Sequence, residues 1–253
     1  MDLPMYQSQE LGKIVKKAKR DARTVNVGLV YELYPTVWNL EGDRPERKEE
    51  LAPFFEEVTA MMDMNEQVEP LLEDYHARMD KMIESLGGRS INLSSQWRFI
   101  TGLGAPHPTE TGFKWERNIG VPYLPGSSVK GAVKAWMRLS EKEDEFPTMF
   151  DKESADPVIL FDAYPTSKPE LDVDILNVHY KKYYEGDAPP ADYLSPTPVF
   201  FLAVAPRTEF RFRIAPRDPE CDLDRIEKVL QRTAAELGFG AKTSVGYGQF
   251  VSM

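Results

Sequence analysis

Apolar residues recur at helical spacing through residues 45–86: Leu51, Phe54, Phe55 and Val58, then Met61, Met62, Val68, Leu71, Leu72, Tyr75, Met79, Met82, Ile83 and Leu86. A repeat of three to four residues collects such side chains on one face, so the segment predicts one or two long helices. Gly87-Gly88 is a strong stop. The methionines read as core filler, because a thioether chain adapts to irregular gaps. Upstream, residues 5–23 predict a helix whose surface carries Lys13, Lys16, Lys17, Lys19, Arg20 and Arg23. A short apolar stretch, Val25 to Tyr31, follows it.

Beyond Gly88 the pattern turns to strands and glycines. Gln96–Thr101 predicts a strand, and residues 102–126 form a long Gly/Pro-rich loop. A helix is expected from about Ser128 to Glu141, with Val129, Ala132, Val133, Trp136 and Met137 on its buried face. Val158–Phe161 predicts a short buried strand. Residues 164–197, rich in Pro, Tyr and Asp, read as an inserted loop. Strands follow at Val199–Val204 and Glu209–Ile214. In the second, Phe210, Phe212 and Ile214 alternate with Arg211 and Arg213, the period of two expected of a half-exposed sheet. Asp222 to Leu237 predicts a helix capped by Asp222. A glycine-rich loop and a last strand, Tyr247–Ser252, complete the chain.

The order strand, helix, strand, strand, helix, strand predicts an α+β fold on the ferredoxin-like (RRM-like) plan, with one extra strand to place. The expected organisation is a helical N-terminal extension over residues 1–90 and a ferredoxin-like domain over 91–253, with its inserted loop around 164–197. Such a sheet packs both helices on one face and leaves the other free. Arg211 and Arg213 are expected on that free face or near its edge.

Composition narrows the function classes. No apolar run approaches a membrane span, which needs ~18–20 residues, and no secretory pattern opens the chain. One cysteine, Cys221, excludes an intrachain disulfide and a cysteine-built zinc site. A reducing cytoplasmic setting is the expectation. The formal net charge of −10 argues against a general polyanion binder, but the charge is unevenly spread. Residues 41–86 hold 14 acids against 5 bases and residues 139–237 hold 21 against 12. Between them, residues 97–138 carry Arg98, Lys114, Arg117, Lys130, Lys134 and Arg138 against only Glu110 and Glu116.

Two motifs fall in or near that basic middle. In the first, Gly120 through Gly131, Pro125-Gly126 forces a tight turn and Ser127 or Ser128 is placed to cap the helix that follows. A helix start presents unpaired N–H groups and positive partial charge, a site for phosphate. Lys130, Lys134 and Arg138 continue it as a basic stripe. The second, Gly238-Phe-Gly-Ala-Lys-Thr-Ser-Val-Gly-Tyr-Gly248, is expected to be a flexible loop whose backbone approaches a ligand closely. Lys242, Thr243 and Ser244 supply polar contacts there and Tyr247 a ring for stacking. It is not a Walker loop: Ala241 precedes the lysine where glycine belongs, and too few residues remain for the obligatory helix. Thr243 likewise stands where a dinucleotide fingerprint has its third glycine.

Together the motifs resemble the RAMP superfamily of CRISPR-associated proteins. The run from Gly102-Leu-Gly-Ala-Pro-His-Pro-Thr-Glu-Thr-Gly-Phe-Lys-Trp115 through Gly131 resembles, more closely, the sixth-subunit family of the type III-B (Cmr) effector complex. Asp174–Tyr180 with Tyr183-Tyr184, the strand Pro198–Val204, Phe210–Ile214 and the C-terminal glycine loop agree. The resemblance covers about residues 95–253.

It implies a ferredoxin-like fold whose glycine loop packs near the first helix and contacts RNA. It implies a non-catalytic architectural subunit for antiviral defence, at the end of the particle holding the 3′ part of the CRISPR RNA. The implied partners are that RNA, the target RNA indirectly, and other Cmr subunits, above all the repeating backbone subunit; no cofactor, metal or membrane is implied. Carried onto this chain, the RNA-facing positions are Lys114, Arg117, Ser127, Ser128, Lys130, Lys134, Gly238, Gly240, Lys242, Thr243 and Tyr247.

Two other readings arise from the residues. Metal-independent RNA cleavage needs a positioned acid and base, and His107 or His179 beside Tyr and Lys would supply them in a guide-RNA-processing endoribonuclease of the same superfamily. His76, in the acidic helix, reads as a surface or packing residue. The acids Asp162, Asp172, Asp174 and Asp187 show no metal-ligand spacing. Alternatively, the acidic helices dock a neighbouring protein, with Phe54, Phe55 and Tyr75 as anchors.

Overall fold

The structure, a computed structural model, describes residues 20–39, 46–47, 50–142, 144, 156–178, 186 and 197–252. All but the end of the helix expected over residues 5–23 lies outside the described residues. So do His179, Tyr180, Tyr183, Tyr184 and Asp187. No described helix is long and apolar enough to cross a membrane.

The N-terminal part comprises α1 (Val27–Leu33), β1 (Trp38–Asn39), β2 (Glu46–Arg47), α2 (Ala52–Met64) and α3 (Val68–Ser85). Asn26 starts α1: its Oδ1 accepts from Leu29 N at 2.9 Å while Nδ2 donates to Arg117 O at 2.8 Å. One short amide thus caps a helix and ties it to the second half of the chain. Asn65, buried between α2 and α3, accepts from Gln67 N and Val68 N and donates to Val25 O. Phe54 and Phe55 are buried in the core, and Tyr75 packs against it. Their apolar surface is spent inside the chain, so the expected docking anchors are core residues.

The second part runs β3 (Arg89–Ser95), β4 (Trp115–Glu116), β5 (Val121–Pro122), α4 (Gly126–Leu139), β6 (Val158–Leu160), β7 (Tyr164–Pro165), β8 (Leu171–Val178), β9 (Thr197–Val204), β10 (Glu209–Pro216), α5 (Leu223–Glu236) and β11 (Phe250–Val251). The main sheet has the order β11-β3-β10-β6, all antiparallel, with β7 also paired to β10. This is the ferredoxin-like order, helices α4 and α5 crossing over between its strands. Asp222 caps α5 as expected, its Oδ1 accepting from Arg225 N at 3.1 Å.

Three expectations are corrected. The first strand is Arg89–Ser95 rather than Gln96–Thr101; beyond Ser95 only Phe99 pairs, through a single bridge to Val204. Arg-Ser-Ile-Asn-Leu-Ser-Ser has weak strand propensity, but pairing with both β10 and β11 overrides it. Residues 164–197 are not simply a loop: β8 pairs with β9 over eight residues, from Leu171↔Val204 to Val178↔Thr197. Third, the far face of the sheet is not free. Arg213 is only 1% exposed, because α3 lies across that face. Its Nε and Nη2 donate to Asp80 Oδ1 at 2.9 and 2.8 Å, and Nη2 lies 2.7 Å from His76 Nδ1. Arg211 Nη1 joins Asp80 Oδ2 at 2.8 Å.

His76 is therefore buried, with Nε2 bonded to Pro165 O at 2.9 Å. Burial, with Arg213 and Arg211 nearby, holds its pKa below the usual 6.5. Burial lowers His107 in the same sense. The unfolded chain then binds more protons than the folded one once pH falls below about 6.5. The stabilisation from keeping both rings neutral is complete above that pH and is lost as pH falls toward their folded values. Asp80, where bonds from Arg213 outweigh the upward push of burial, is held below 3.8 and adds a second loss at lower pH. We expect the melting temperature, read by circular dichroism, to fall steadily as pH drops from about 6.5. His76→Gln should flatten the upper part of that decline; an unaltered slope would mean the imidazole is not the titrating group.

Candidate nucleic-acid interface

The two motifs meet. A cleft of about 550 Å³ opens between α4 and two glycine-bearing loops, lined by residues 101–104, Leu124, Ser128, Gly131, Ala132, Ala135 and, from the C-terminal loop, Leu237, Gly238, Gly240, Ala241 and Thr243. Among the described residues its walls carry no ionisable side chain. They are backbone, small side chains and a few hydroxyls.

Each wall has a local cause. Position 126, where helix α4 begins, holds glycine because nothing larger fits: a Cβ there would lie 2.2 Å from Leu160 O. The expected serine cap is not used. Pro125 occupies the cap position without a side-chain bond, and Asp162 Oδ1 instead accepts from Gly126 N at 2.7 Å. A carboxylate of this chain, brought in from the end of β6, thus takes the first helix donor that was expected to receive phosphate.

The glycine loop is tied down rather than flexible. Phe239 N donates to Gly248 O at 2.8 Å, Ala241 N to Ile100 O at 2.9 Å and Gly248 N to Arg98 O at 2.9 Å. Gly240 has φ of +88°, and a Cβ on it would come within 2.2 Å of Ile100 O. Glycine is required there by both conformation and space.

Of the expected RNA-facing residues, Ser128, Gly238, Gly240 and Thr243 line the cleft. Lys242 adjoins it within the loop, in the left-handed region, with its ammonium 6.0 Å from the Phe201 ring. Lys114 lies behind the other loop: its N–H donates to Thr101 O at 2.9 Å and its ammonium is 5.9 Å from the Tyr123 ring. Ser127 is exposed but does not line the cleft. Arg117 points elsewhere, pairing with Glu32 at 3.3 Å.

Lys130 and Lys134 converge on Asp156, Lys134 at 3.1 Å. Burial would raise the Asp156 pKa, but the two lysines outweigh it and hold the group below 3.8. Tyr247 is not presented for stacking: its hydroxyl donates to Asp174 Oδ2 at 2.7 Å and its ring packs against Phe201. Burial and the Asp174 carboxylate push its pKa up to about 12. Arg98 completes this cluster, with Nε 2.8 Å from Asp172.

The sequence reading missed the cleft's small residues, Gly131, Ala132 and Ala135. One signal was available. Gly131 falls inside a helix, where glycine costs roughly 0.5–1 kcal/mol relative to alanine. A Cβ at Gly131 would meet nothing within 4 Å, so no packing among the described residues demands glycine there.

His107 is committed to structure. Its ring stacks on Tyr31 with centroids 4.2 Å apart, Nε2 bonds Tyr31 O at 2.9 Å, and Nδ1 lies 2.7 Å from Thr109 Oγ1. Among the described residues no His, Cys, Asp and Glu cluster could hold a metal ion.

The family model of the RAMP superfamily matches residues 93–251. A CRISPR system Cmr subunit Cmr6 from Pyrococcus furiosus is 28% identical, over 72% of this chain and 73% of that protein. Its counterpart from Saccharolobus solfataricus is 26% identical, over 80% of this chain and 72% of the relative. Among solved structures, a chain of the cryo-EM structure of the type III-B Cmr-beta bound to cognate target RNA superimposes with a TM-score of 0.69 at 20% identity. That superposition covers 96% of this chain and 95% of the other. The resemblance carried by residues 102–131 and the C-terminal glycine loop is borne out.

Proposed function

Because this chain belongs to the RAMP superfamily, we propose that it is a non-catalytic subunit of a type III-B CRISPR effector complex. Its role is to hold the 3′ part of the CRISPR RNA beside the repeating backbone subunit. The observation that carries the reading is the cleft where Ser128 of α4 meets the loop from Gly238 to Thr243. The names of both Cmr6 relatives support membership of such a complex. An uncharged wall of small residues admits the sugar and base of a nucleotide, while Lys242 at its margin and Lys114 behind the adjoining loop attract phosphate. The architectural role is supported by His107, whose two ring nitrogens are engaged within the chain. Cytoplasmic action and contact with target RNA only through the guide follow from the same reading.

The test is to fill the cleft. Gly131→Leu places a side chain in open space on α4 and gains helix propensity, so the melting temperature should not fall. Binding of a labelled single-stranded repeat RNA by the full chain, read by fluorescence anisotropy at low salt, should weaken by about tenfold or more, a change of roughly 1.4 kcal/mol. The double variant Lys114→Ala/Lys242→Ala should lower the salt slope of binding by about 1.4, at about 0.7 for each single-strand phosphate no longer neutralised. RNA binding unchanged in both variants would remove the cleft from the interface.

A further inference from the structure

The cleft's lining reaches Ala135 and Leu237. The next residues on both helices, Trp136 and Glu236, line a second groove of about 500 Å³, so the two share a wall. That wall is held by the Trp136 indole N–H donating to Glu236 Oε2 at 2.7 Å. The groove's other lining residues include Lys142, Arg225, Lys228 and Arg232. In a chain of net charge −10, four cationic side chains gathered, among the described residues, around one carboxylate that is already bonded is a local reversal of sign.

Helix α5 creates this reversal by sorting its charges. Arg225, Lys228 and Arg232 are spaced by three and four residues and so share one face. Asp224 and Glu227, on another face, turn to Arg89. Lys142 joins from beyond α4, its ammonium 5.6 Å from the Trp136 ring. Lys228 and Arg232 are exposed, and among the described residues neither forms an ion pair. A groove that gathers cations while burying its one aromatic ring suits a sugar-phosphate backbone rather than stacked bases.

Resting on the guide-RNA reading of the neighbouring cleft, we propose that this groove is a second RNA-binding site that carries the same strand onward. Nucleotides pass from the uncharged cleft over the Trp136–Glu236 wall, and their phosphates are held by Lys228 and Arg232 with Arg225 and Lys142. The helical spacing of Arg225, Lys228 and Arg232 is visible in the sequence, but it does not by itself mark a site. They become a site only because α4 and α5 pack side by side.

The experiment uses the full chain and a labelled single-stranded RNA long enough to cover both segments, with affinity followed across a salt series. Lys228→Ala/Arg232→Ala should flatten the slope of log affinity against log salt by about 1.4. Lys228→Glu/Arg232→Glu should weaken binding further, and Lys228→Arg/Arg232→Lys, which keeps both charges, should restore slope and affinity. An unchanged slope in the alanine and glutamate variants would overturn the proposal. So would displacement of polyglutamate, but not RNA, by the charge reversal, since the groove would then serve an acidic protein. Should Gly131→Leu lose RNA while Lys228→Glu/Arg232→Glu keeps it, only the groove fails. RNA binding insensitive to every one of these variants would end both readings.

Discussion

Arg213→Ala is expected to cost about 3–5 kcal/mol of stability, the usual result of breaking a buried ion pair from one side. At about 2–4 °C per kcal/mol for a chain of this size, the melting temperature should fall by roughly 10 °C. Arg213 is the point at which α3 and the central strand β10 are joined by charge. Its removal strips Asp80 of two hydrogen bonds and His76 of its neighbour on the Nδ1 side. It also leaves a void beside Tyr75, whose ring centroid is 5.9 Å from the guanidinium carbon. The loss is not larger because Arg211 still pairs with Asp80. Among the described residues one guanidinium nitrogen, Nη1, has no hydrogen-bond partner, so part of the burial cost of the arginine is not recovered there. Arg213→Met, which refills the volume without a charge, should therefore cost less, on the order of 1–3 kcal/mol. An alanine variant as stable as the parent in urea titration would show that this pair does not fasten helix to sheet.

The second large effect is expected in the glycine loop, from two substitutions of the same kind. Gly246 and Gly248 both have positive φ, +96° and +67°. A Cβ on Gly246 would meet nothing within 4 Å, so Gly246→Ala should cost only the conformational strain, about 1–2 kcal/mol. A Cβ on Gly248 would lie 1.9 Å from Phe239 O, inside the turn that closes the loop. Relieving that overlap has to displace the Phe239 N–H bond to Gly248 O, so Gly248→Ala should cost on the order of 3–4 kcal/mol. Urea midpoints of the two variants measure the difference directly. Equal losses would show that the loop yields at no cost, against its bonded geometry. Because the same loop carries Gly240 and Thr243 into the cleft, Gly248→Ala should also weaken RNA binding, whereas Gly246→Ala should leave it nearly intact.

Much of the fold was legible because it is written in short-range periodicity. The helical repeat from Leu51 to Leu86, the alternation Phe210-Arg-Phe-Arg-Ile214 and the capping Asp222 each predict an element from neighbours a few residues apart. Gly126 was expected in a tight turn and Gly240 beside a ligand; the structure gives each a close approach within the chain, to Leu160 O and Ile100 O. What failed were inferences about surroundings. Arg213 alternates with apolar residues and so looked solvent-facing, until α3 covered it. Ser127 and Ser128 stand where a cap is expected, but Asp162, thirty-six residues beyond Gly126, reaches the helix start first. Tyr247 looked available for stacking, and Asp174 from the β8–β9 hairpin had taken its hydroxyl.

The sequence by itself determined the helices, most of the strands and, through their order, the ferredoxin-like plan, because local sterics and hydrophobic spacing decide those; that the glycine loop lies near the first helix came from the family resemblance. Only the tertiary structure decided which charges remain available. Lys130 and Lys134 face Asp156, whereas Lys228 and Arg232 face an open groove. Coulomb energy depends on distance through space, and that distance is set by packing between segments far apart in the chain.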